Sequence, residues 1–213
     1  MTLSDSLKMK VKVIGTHAEH NLYRSYCKIH TSIYIPSLKL LLDCGQGVAE
    51  QVKGLDIDCV MITHGHPDHY DPQGISLLNP KEVYFTNGKE AKIKYKGIDF
   101  HFIPVYHSIR CPMTIISFAG ITYAPDFLGF KGKIPRGKVW IGDGSAYNRS
   151  IVRPNKVGHM CIKAQLELLR GNFRRFLFLH WGQWALRVPR RIVGGLLRQL
   201  GAEPLWDKEE IEL

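Results

Sequence analysis

The segment Thr63-His64-Gly65-His66-Pro67-Asp68-His69 packs three imidazoles and a carboxylate into six consecutive positions, His64 to His69. Neutral imidazole and carboxylate are the natural ligands of zinc, and the absence of a cysteine from the set leaves manganese or iron open. His64 and His66 are two residues apart, so in extended chain they point the same way and can share one ion. Pro67 suits the first turn of a helix, and such a turn carries Asp68 and His69 toward a second position. The competing account is a polar loop that happens to be rich in histidine. Four ligand-type residues at this spacing favour a metal site.

The elements that must hold these groups are legible in the apolar pattern. Cys59-Val60-Met61-Ile62 directly precedes the cluster and reads as a buried strand. Gly65 and Pro67 break it, which puts the cluster on a loop at the strand's C-terminal end, where α/β folds place their sites. Upstream, Lys8 to Val13 alternates lysine with Met9, Val11 and Val13, the period of a half-exposed strand. A second strand is expected around Cys27 to Ile35 and a third over Leu38 to Leu42, joined by a turn at Pro36-Ser37. Val48 to Leu55 and the segment carrying Ile75, Leu77 and Leu78 fit short helices, with a strand at Val83-Tyr84-Phe85 between later turns. Ala91 to Val105 reads as two strand pieces joined at Lys96-Gly97, and Met113 to Tyr123 as a hairpin turning at Ala119-Gly120. Lys138 to Ile141 and Phe176 to Leu179 are further strands. His159 to Leu169 and the segment after Pro189, with Ile192, Val193, Leu196, Leu197 and Leu200 on its apolar side, are amphipathic helices. Histidine or aspartate recurs where strands end: Asp43, His64, Asp126, Asp143 and His180 each end or closely follow an apolar run, and His107 nearly does. Groups at strand ends can converge on one rim.

Composition bounds the function class. A chain of 213 residues with 45% apolar and 23% charged residues suits one globular domain over residues 1–213. There is no apolar run of about 18 residues, so no membrane span is expected. The first residues show no basic-then-apolar leader. The cysteines Cys27, Cys44, Cys59, Cys111 and Cys161 are odd in number and never paired as C-x-x-C, which points to free buried thiols and a cytoplasmic setting. A net charge of +10 favours anionic partners, nucleic acid among them, against the alternative of a solvated basic surface.

With these residues in place, the sequence resembles the metallo-β-lactamase superfamily. The His-x-His-x-Asp-His motif of that superfamily is present as His64, His66, Asp68 and His69. Its further ligands match His107 after a strand, Asp126 in Tyr123-Ala124-Pro125-Asp126, and His180 in Leu179-His180-Trp181. The resemblance implies a four-layer αββα sandwich, two mixed sheets between helices with the metals at one edge; periodicity alone supports only α/β or α+β. Within the superfamily the ribonuclease Z-like and cyclic phosphodiesterase branch fits best, because Gly158-His159-Met160-Cys161 resembles the Gly-His-Ser-Thr segment whose histidine faces the scissile phosphate. The chain departs from that branch in lacking an insertion long enough for a tRNA-gripping arm, and Met160-Cys161 replaces the small hydroxyl residues.

The resemblance implies two divalent ions, with zinc first and manganese or iron as alternatives. His64, His66 and His107 would hold one, Asp68, His69 and His180 the other, and Asp126 would bridge them. A hydroxide held between the ions would attack phosphorus in line. Asp68 and His159 are then the candidate catalytic residues, with His159 binding the phosphate or protonating the leaving oxygen from a helix N-terminus. The substrate would be a phosphodiester, RNA or DNA included, with a cyclic phosphate, thioester or lactone as the alternative. Asp43 and Thr63 suit partners that orient the ligand imidazoles, and Asp143, between glycines, reads as a turn or cap. His17 and His20 either line the cleft or sit in a solvated loop, and His30 and His101 read as structural. Arg24, Arg110, Arg149 and Arg153 are candidate phosphate contacts by proximity alone, and Arg187, Arg190, Arg191 and Arg198 read as a solvated helix face. Trp181, Trp184 and Leu186, if exposed, would make a substrate wall or a homodimer contact.

Overall fold

Leu40, Leu41 and Leu42 are all fully buried, yet neighbouring residues on a strand point to opposite faces. A strand that is apolar on both faces must be covered on both sides, and this requirement organises the molecule. The computed structural model describes residues 9–18, 29–152 and 158–213. The N-terminal part of the strand expected from Cys27, together with Lys8, His20, Arg24 and Arg153, lies outside the described residues.

In chain order the first sheet receives β1 (Lys10–Gly15), β2 (Ser32–Ile35), β3 (Leu40–Leu42), β4 (Cys59–Ile62) and β5 (Glu82–Phe85), with α1 (Val48–Gln51) and α2 (Pro72–Leu78) between them. The second receives β6 (Ala91–Tyr95), β7 (Ile98–Tyr106), β8 (Met113–Phe118), β9 (Ile121–Tyr123), β10 (Gly129–Phe130) and β11 (Val139–Asp143). A small hairpin of β12 (Ile151–Val152) and β13 (Gly158–His159) follows, then α3 (Ile162–Leu169), β14 (Arg175–Leu179), α4 (Gln183–Leu186), α5 (Arg190–Gln199) and β15 (Glu203–Pro204). The chain returns to the first sheet with β16 (Glu210–Glu212), giving the order β16-β1-β2-β3-β4-β5 there and β10-β7-β8-β9-β11-β14-β15 in the second, where β6 also pairs with β7. Both sheets are mixed: β3, β4 and β5 run parallel, as do β9, β11, β14 and β15, while the other neighbours are antiparallel.

Alternation sorts the side chains into layers. Val11, Val13, Leu40, Leu42 and Met61 pack between the sheets against Phe100, Phe102, Ile116, Ile141 and Leu177. Leu41, Val60 and Ile62 turn outward to Val48, Val52 and Ile75 of the first helical layer. On the other side Ile115, Trp140, Phe176 and Phe178 meet Ile162, Leu166, Val193 and Leu197. The result is an αββα sandwich.

Most elements expected from periodicity are present, and the differences have local causes. The Met113–Tyr123 hairpin turns where expected, with Ala119 at φ 46° and Gly120 at φ 79°, the two left-handed residues a tight hairpin needs. The first helix stops at Gln51 instead of reaching Leu55. The third strand starts at Leu40, because Pro36–Leu38 forms a 3-10 turn. Leu77 is 79% exposed, and Ile192, assigned to the apolar face of the last helix, is exposed as well. The helix expected from His159 begins at Ile162, with Cys161 as its N-cap, and His159 lies in β13. Trp181 is fully buried, with Nε1–H donating to the Leu205 carbonyl at 2.8 Å, so it is core and no substrate wall.

The two loops that end β3 and β4 are laced together by main-chain bonds. Cys44 N–H donates to the His69 carbonyl and Gln46 N–H to that of Pro67, each at 2.9 Å, while Asp71 N–H returns to the Cys44 carbonyl at 2.7 Å. Gly45 is what permits this approach, since a Cβ there would stand 2.1 Å from the Asp68 carbonyl oxygen. Gly45→Ala is therefore expected to force the loops apart and lower the unfolding free energy by about 1–3 kcal/mol, a loss that urea denaturation reads directly.

Candidate metal centre

Each cluster residue reaches the rim from the end of a strand or the loop after it. His64 lies two residues past β4, and His69 N–H and Tyr70 N–H both bond to the His66 carbonyl, at 2.9 and 2.8 Å, closing the single helical turn expected at Pro67. His107 follows β7 directly, Asp126 follows β9, and His180 follows β14. His180 has φ 61° and Asp43 φ 59°. Both are non-glycine residues in the left-handed region, a cost borne where a strand must turn its next side chain into the cleft.

The side chains converge on Asp126 as two sets of the residues expected from sequence, with a third grouping, Asp126, Asp143, His159 and His180, overlapping the second. His64, His66, His107 and Asp126 offer ligand atoms within 4.8 Å of one another, and so do Asp68, His69, Asp126 and His180. Asp126 Oδ2 stands 3.2 Å from His64 Nε2, 3.1 Å from His69 Nε2 and 3.8 Å from His107 Nε2, which places one carboxylate oxygen against both sets. Within the first set His66 Nδ1 is 2.9 Å from His64 Nε2 and 3.2 Å from His107 Nε2. Within the second His69 Nε2 is 3.1 Å from His180 Nε2, and Asp68 Oδ2 is 3.7 Å from the former and 3.6 Å from the latter.

The outer nitrogens are bonded away from the centre, which decides the tautomers. His69 Nδ1–H donates to Asp43 Oδ2 at 2.8 Å, and His107 Nδ1–H to the Gly158 carbonyl at 3.1 Å. Thr63 Oγ1–H donates to Asp43, so its oxygen accepts from His64 Nδ1–H at 3.1 Å. Ser145 Oγ accepts likewise from His180 Nδ1–H at 2.9 Å while donating to the His180 carbonyl. Asp43 also receives Thr63 N–H at 2.8 Å and Tyr123 O–H at 3.1 Å. It is fully buried, and it steers two of the imidazoles. With Nδ1 carrying the proton, Nε2 of His64 and His107 presents a lone pair inward.

Electrostatics divides the cluster. Burial pushes the His64 imidazole down, His66 to about 4 and His107 to about 3, so at neutral pH all three are uncharged donors. Burial would do the same to His69 and His180, but the Asp43 and Asp68 carboxylates outweigh it for the first. Asp126, with Asp143 and Asp68, holds the second up to about 9. Asp68 and Asp126 are held well below the usual carboxylate range, because the surrounding imidazoles more than offset the penalty of burial.

A divalent ion fits these residues on several observations. Asp126 Oδ1 is fully buried and makes no hydrogen bond of good geometry among the described residues, with only the ring nitrogens of His159 and His180 nearby at 3.0 and 3.2 Å, so it has lone-pair capacity left for an ion. Inward nitrogens 2.9–3.2 Å apart are close to the roughly 3.3 Å edge of a tetrahedron whose ligands lie ~2.0–2.1 Å from a zinc ion. The donor set of imidazole and carboxylate is that of zinc or a first-row neighbour, and the protons now shared with carboxylates are those that metal binding displaces.

His159 stands beside both sets. Its Nδ1 is 2.7 Å from Asp143 Oδ2 and 3.0 Å from Asp126 Oδ1. These carboxylates overcome the downward pull of burial and hold the imidazole well above its ordinary pKa. Asp143, read from sequence as a turn or cap, does accept Ser145 N–H at 2.8 Å and Phe127 N–H at 3.1 Å, and its larger part is to hold His159. The signal for it was its place at the end of β11, on the same rim as the other groups. Ser145 and the Gly158 carbonyl carried no such signal. A cavity of about 120 Å³ is lined by Ala18, His66, Asp68, His107, Asp126, His159 and His180. His17 does not line it; that residue is buried and bridges to His30 and Trp181. Arg110 and Arg149 are exposed. Asp43→Asn should weaken zinc binding about 10–100-fold by loosening His64 and His69; competition against a chromogenic chelator measures it, with circular dichroism to check the fold.

No protein-family model matches the chain, and no curated protein does. Solved structures do. The metallo-β-lactamase fold protein YhfI from Bacillus subtilis matches with a TM-score of 0.71 at 15% identity, over 97% of this chain and 100% of that one. A diphosphatase of the PhnP family matches at 0.69 and 15% identity, over 97% and 98%. Human tRNase Z, short form, matches at 0.64 and 16% identity, over 95% and 98%. With two mixed sheets, flanking helices and a match to these structures along nearly their whole length, the chain has the metallo-β-lactamase fold.

Proposed function

We propose that the protein is a dinuclear metal-dependent hydrolase that cleaves a phosphodiester, with nucleic acid as the substrate class. The observation that carries this is the pair of His/Asp sets meeting at Asp126, with His159 on the same cleft. His64, His66, His107 and Asp126 would hold one divalent ion, and Asp68, His69, His180 and Asp126 the other, zinc being the first choice. Two such ions supply Lewis acidity and an activated water near neutral pH.

The chain's own residues have definable parts. Asp43, Thr63, Ser145 and the Gly158 carbonyl keep the imidazoles in one orientation, so the ligand set is built before substrate arrives. His159, gripped at Nδ1 by Asp143 and Asp126, keeps a proton there and presents a cation to the cleft. A cation at that place favours an anionic group such as a phosphoryl oxygen, and it can give a proton to the departing alkoxide. The net charge of +10 acts in the same direction by drawing polyanions to the surface. The small size of the cleft favours the second reading, hydrolysis of a small cyclic phosphate, thioester or lactone.

The test is metal content followed by turnover of bis(p-nitrophenyl) phosphate with and without chelator. Two ions per chain and chelator-sensitive cleavage are expected; no bound metal after reconstitution sinks the proposal, and two ions without cleavage transfer it to a carbonyl substrate. Asp68→Ala and His66→Ala should abolish turnover while circular dichroism stays unchanged. His159→Ala should lower kcat by roughly 10²–10⁴-fold with both ions retained, and an unchanged rate returns that residue to a structural part.

A further inference from the structure

Away from the His/Asp cluster the surface carries a larger opening, and its charge is one-sided. A groove of about 560 Å³ lies where Ile103 and Pro104 of β7 meet the loop that carries Lys131, Lys133 and Arg136. Its position follows from strand pairing. One edge of β7 is taken by β8, while the other is shared by β6, over Ile98–Phe102, and β10, over Val105–Tyr106. Ile103 and Pro104 fall in the gap between the two partners. Proline brings no N–H to that open edge, so the groove keeps its shape without a strand to fill it.

The cations there are not neutralised from within the chain. Lys131, Lys133 and Arg136 are exposed, and none of them forms an ion pair among the described residues. Lys39, Lys81, Lys96 and Arg175 by contrast are each matched to a carboxylate. The acid of the groove, Glu90, is engaged by His101 at 2.8 Å. The groove lies along the strand that leads to the cleft. Lys131 Nζ stands 5.5 Å from the centroid of the Tyr106 ring, which is 55% exposed and directly precedes His107. At ~3.3 Å per strand residue, Pro104 is roughly 10 Å from His107 along β7.

Unpaired cations along a groove, with an exposed aromatic face at the end nearest the cleft, are the means by which proteins hold single-stranded nucleic acid: phosphates follow the charges and a base stacks on the ring. A groove of 560 Å³ is also of the size that takes a nucleotide-scale ligand, about 300–1,000 Å³. We infer that this groove binds the stretch of a single-stranded polynucleotide that flanks the phosphate held in the cleft. The inference deepens the phosphodiesterase reading and rests on it for what happens in the cleft, whereas the groove stands on its own residues.

The experiment is fluorescence anisotropy of the zinc-reconstituted protein with a labelled 12-mer of oligouridylate, titrated over salt. The groove variant carries Lys131→Glu, Lys133→Glu and Arg136→Glu; a charge-matched control carries Lys10→Glu, Lys53→Glu and Lys208→Glu on the first-sheet side. The groove variant is expected to lose at least tenfold in affinity and to flatten the salt dependence by about 2, that is ~0.7 per phosphate contact, with a smaller loss in the control. Tyr106→Ala should cost roughly fivefold or more through lost stacking. Equal losses in groove and control variants, no loss in either, or a wild-type protein that does not bind the 12-mer would each overturn the inference. Competition by uridine monophosphate as strong as by the 12-mer would overturn its polynucleotide part. Failure of the phosphodiesterase reading shows separately, as wild-type protein with two bound ions that leaves bis(p-nitrophenyl) phosphate intact.

Discussion

A carboxylate buried among imidazoles is the constraint on which the rest of this structure depends. Asp126 is 1% exposed, has one oxygen against His64, His69 and His107, and has the other beside His159 and His180. Removing so many ionisable groups from water costs several kcal/mol per charge unless each finds a partner. The fold meets that cost by bringing opposite charges and lone pairs together from strands far apart in sequence. Of the strands ending here, β4 and β9 are buried along their whole length and β14 nearly so, while β7 is buried only in part. Only a well-packed sandwich can hold groups that would otherwise separate into solvent.

The supporting shell shows how the positions are enforced. Asp43 sits in a left-handed conformation at the end of β3 and collects donors from Thr63, His69 and Tyr123, which belong to both sheets. Asp143 does the corresponding work at the end of β11, taking Phe127, Ser145 and His159. Each carboxylate ties the end of its own strand to neighbouring loops, so sheet geometry is transmitted into imidazole orientation. A third device is steric. Gly45, with no side chain, lets the β3 loop lie directly against the backbone at Asp68.

Charge is distributed with a comparable economy. Around Asp58 and at the Arg175–Glu203 pair, surface cations are matched to acids, which leaves their local field weak. Along the loop after β10 they are not. Lys131 therefore keeps its field near Tyr106, the residue that ends β7 and precedes His107. Fields from unmatched exposed charges reach about 8–10 Å at ordinary salt, a range comparable with the strand distance from Pro104 to His107.

The kinds of residue and their order along the chain were legible from sequence. The His64–His69 cluster, its place after an apolar strand, and the recurrence of histidine or aspartate at later strand ends are local features, because pattern and spacing report on a few consecutive residues. The hairpin at Ala119-Gly120 and most of the apolar helical positions were readable for the same reason, Leu77 and Ile192 being the exposed exceptions. Periodicity overran the start of α3 by three residues, since an apolar spacing continues through a cap that does not fold as helix, and His159 thereby moved from a helix to a short strand. Other features belong to tertiary structure alone. That Asp143 grips His159, that Trp181 is core, and that Lys131 meets Tyr106 each depend on contacts between segments brought together by sheet packing, while the place of Asp126 between the two His/Asp sets was expected from the family resemblance and not from any local pattern. The sequence by itself determined which donors the chain would supply. The convergence of strand ends from two sheets decided which donors meet, because distance in space between such groups is set by strand order and register, which no local pattern encodes.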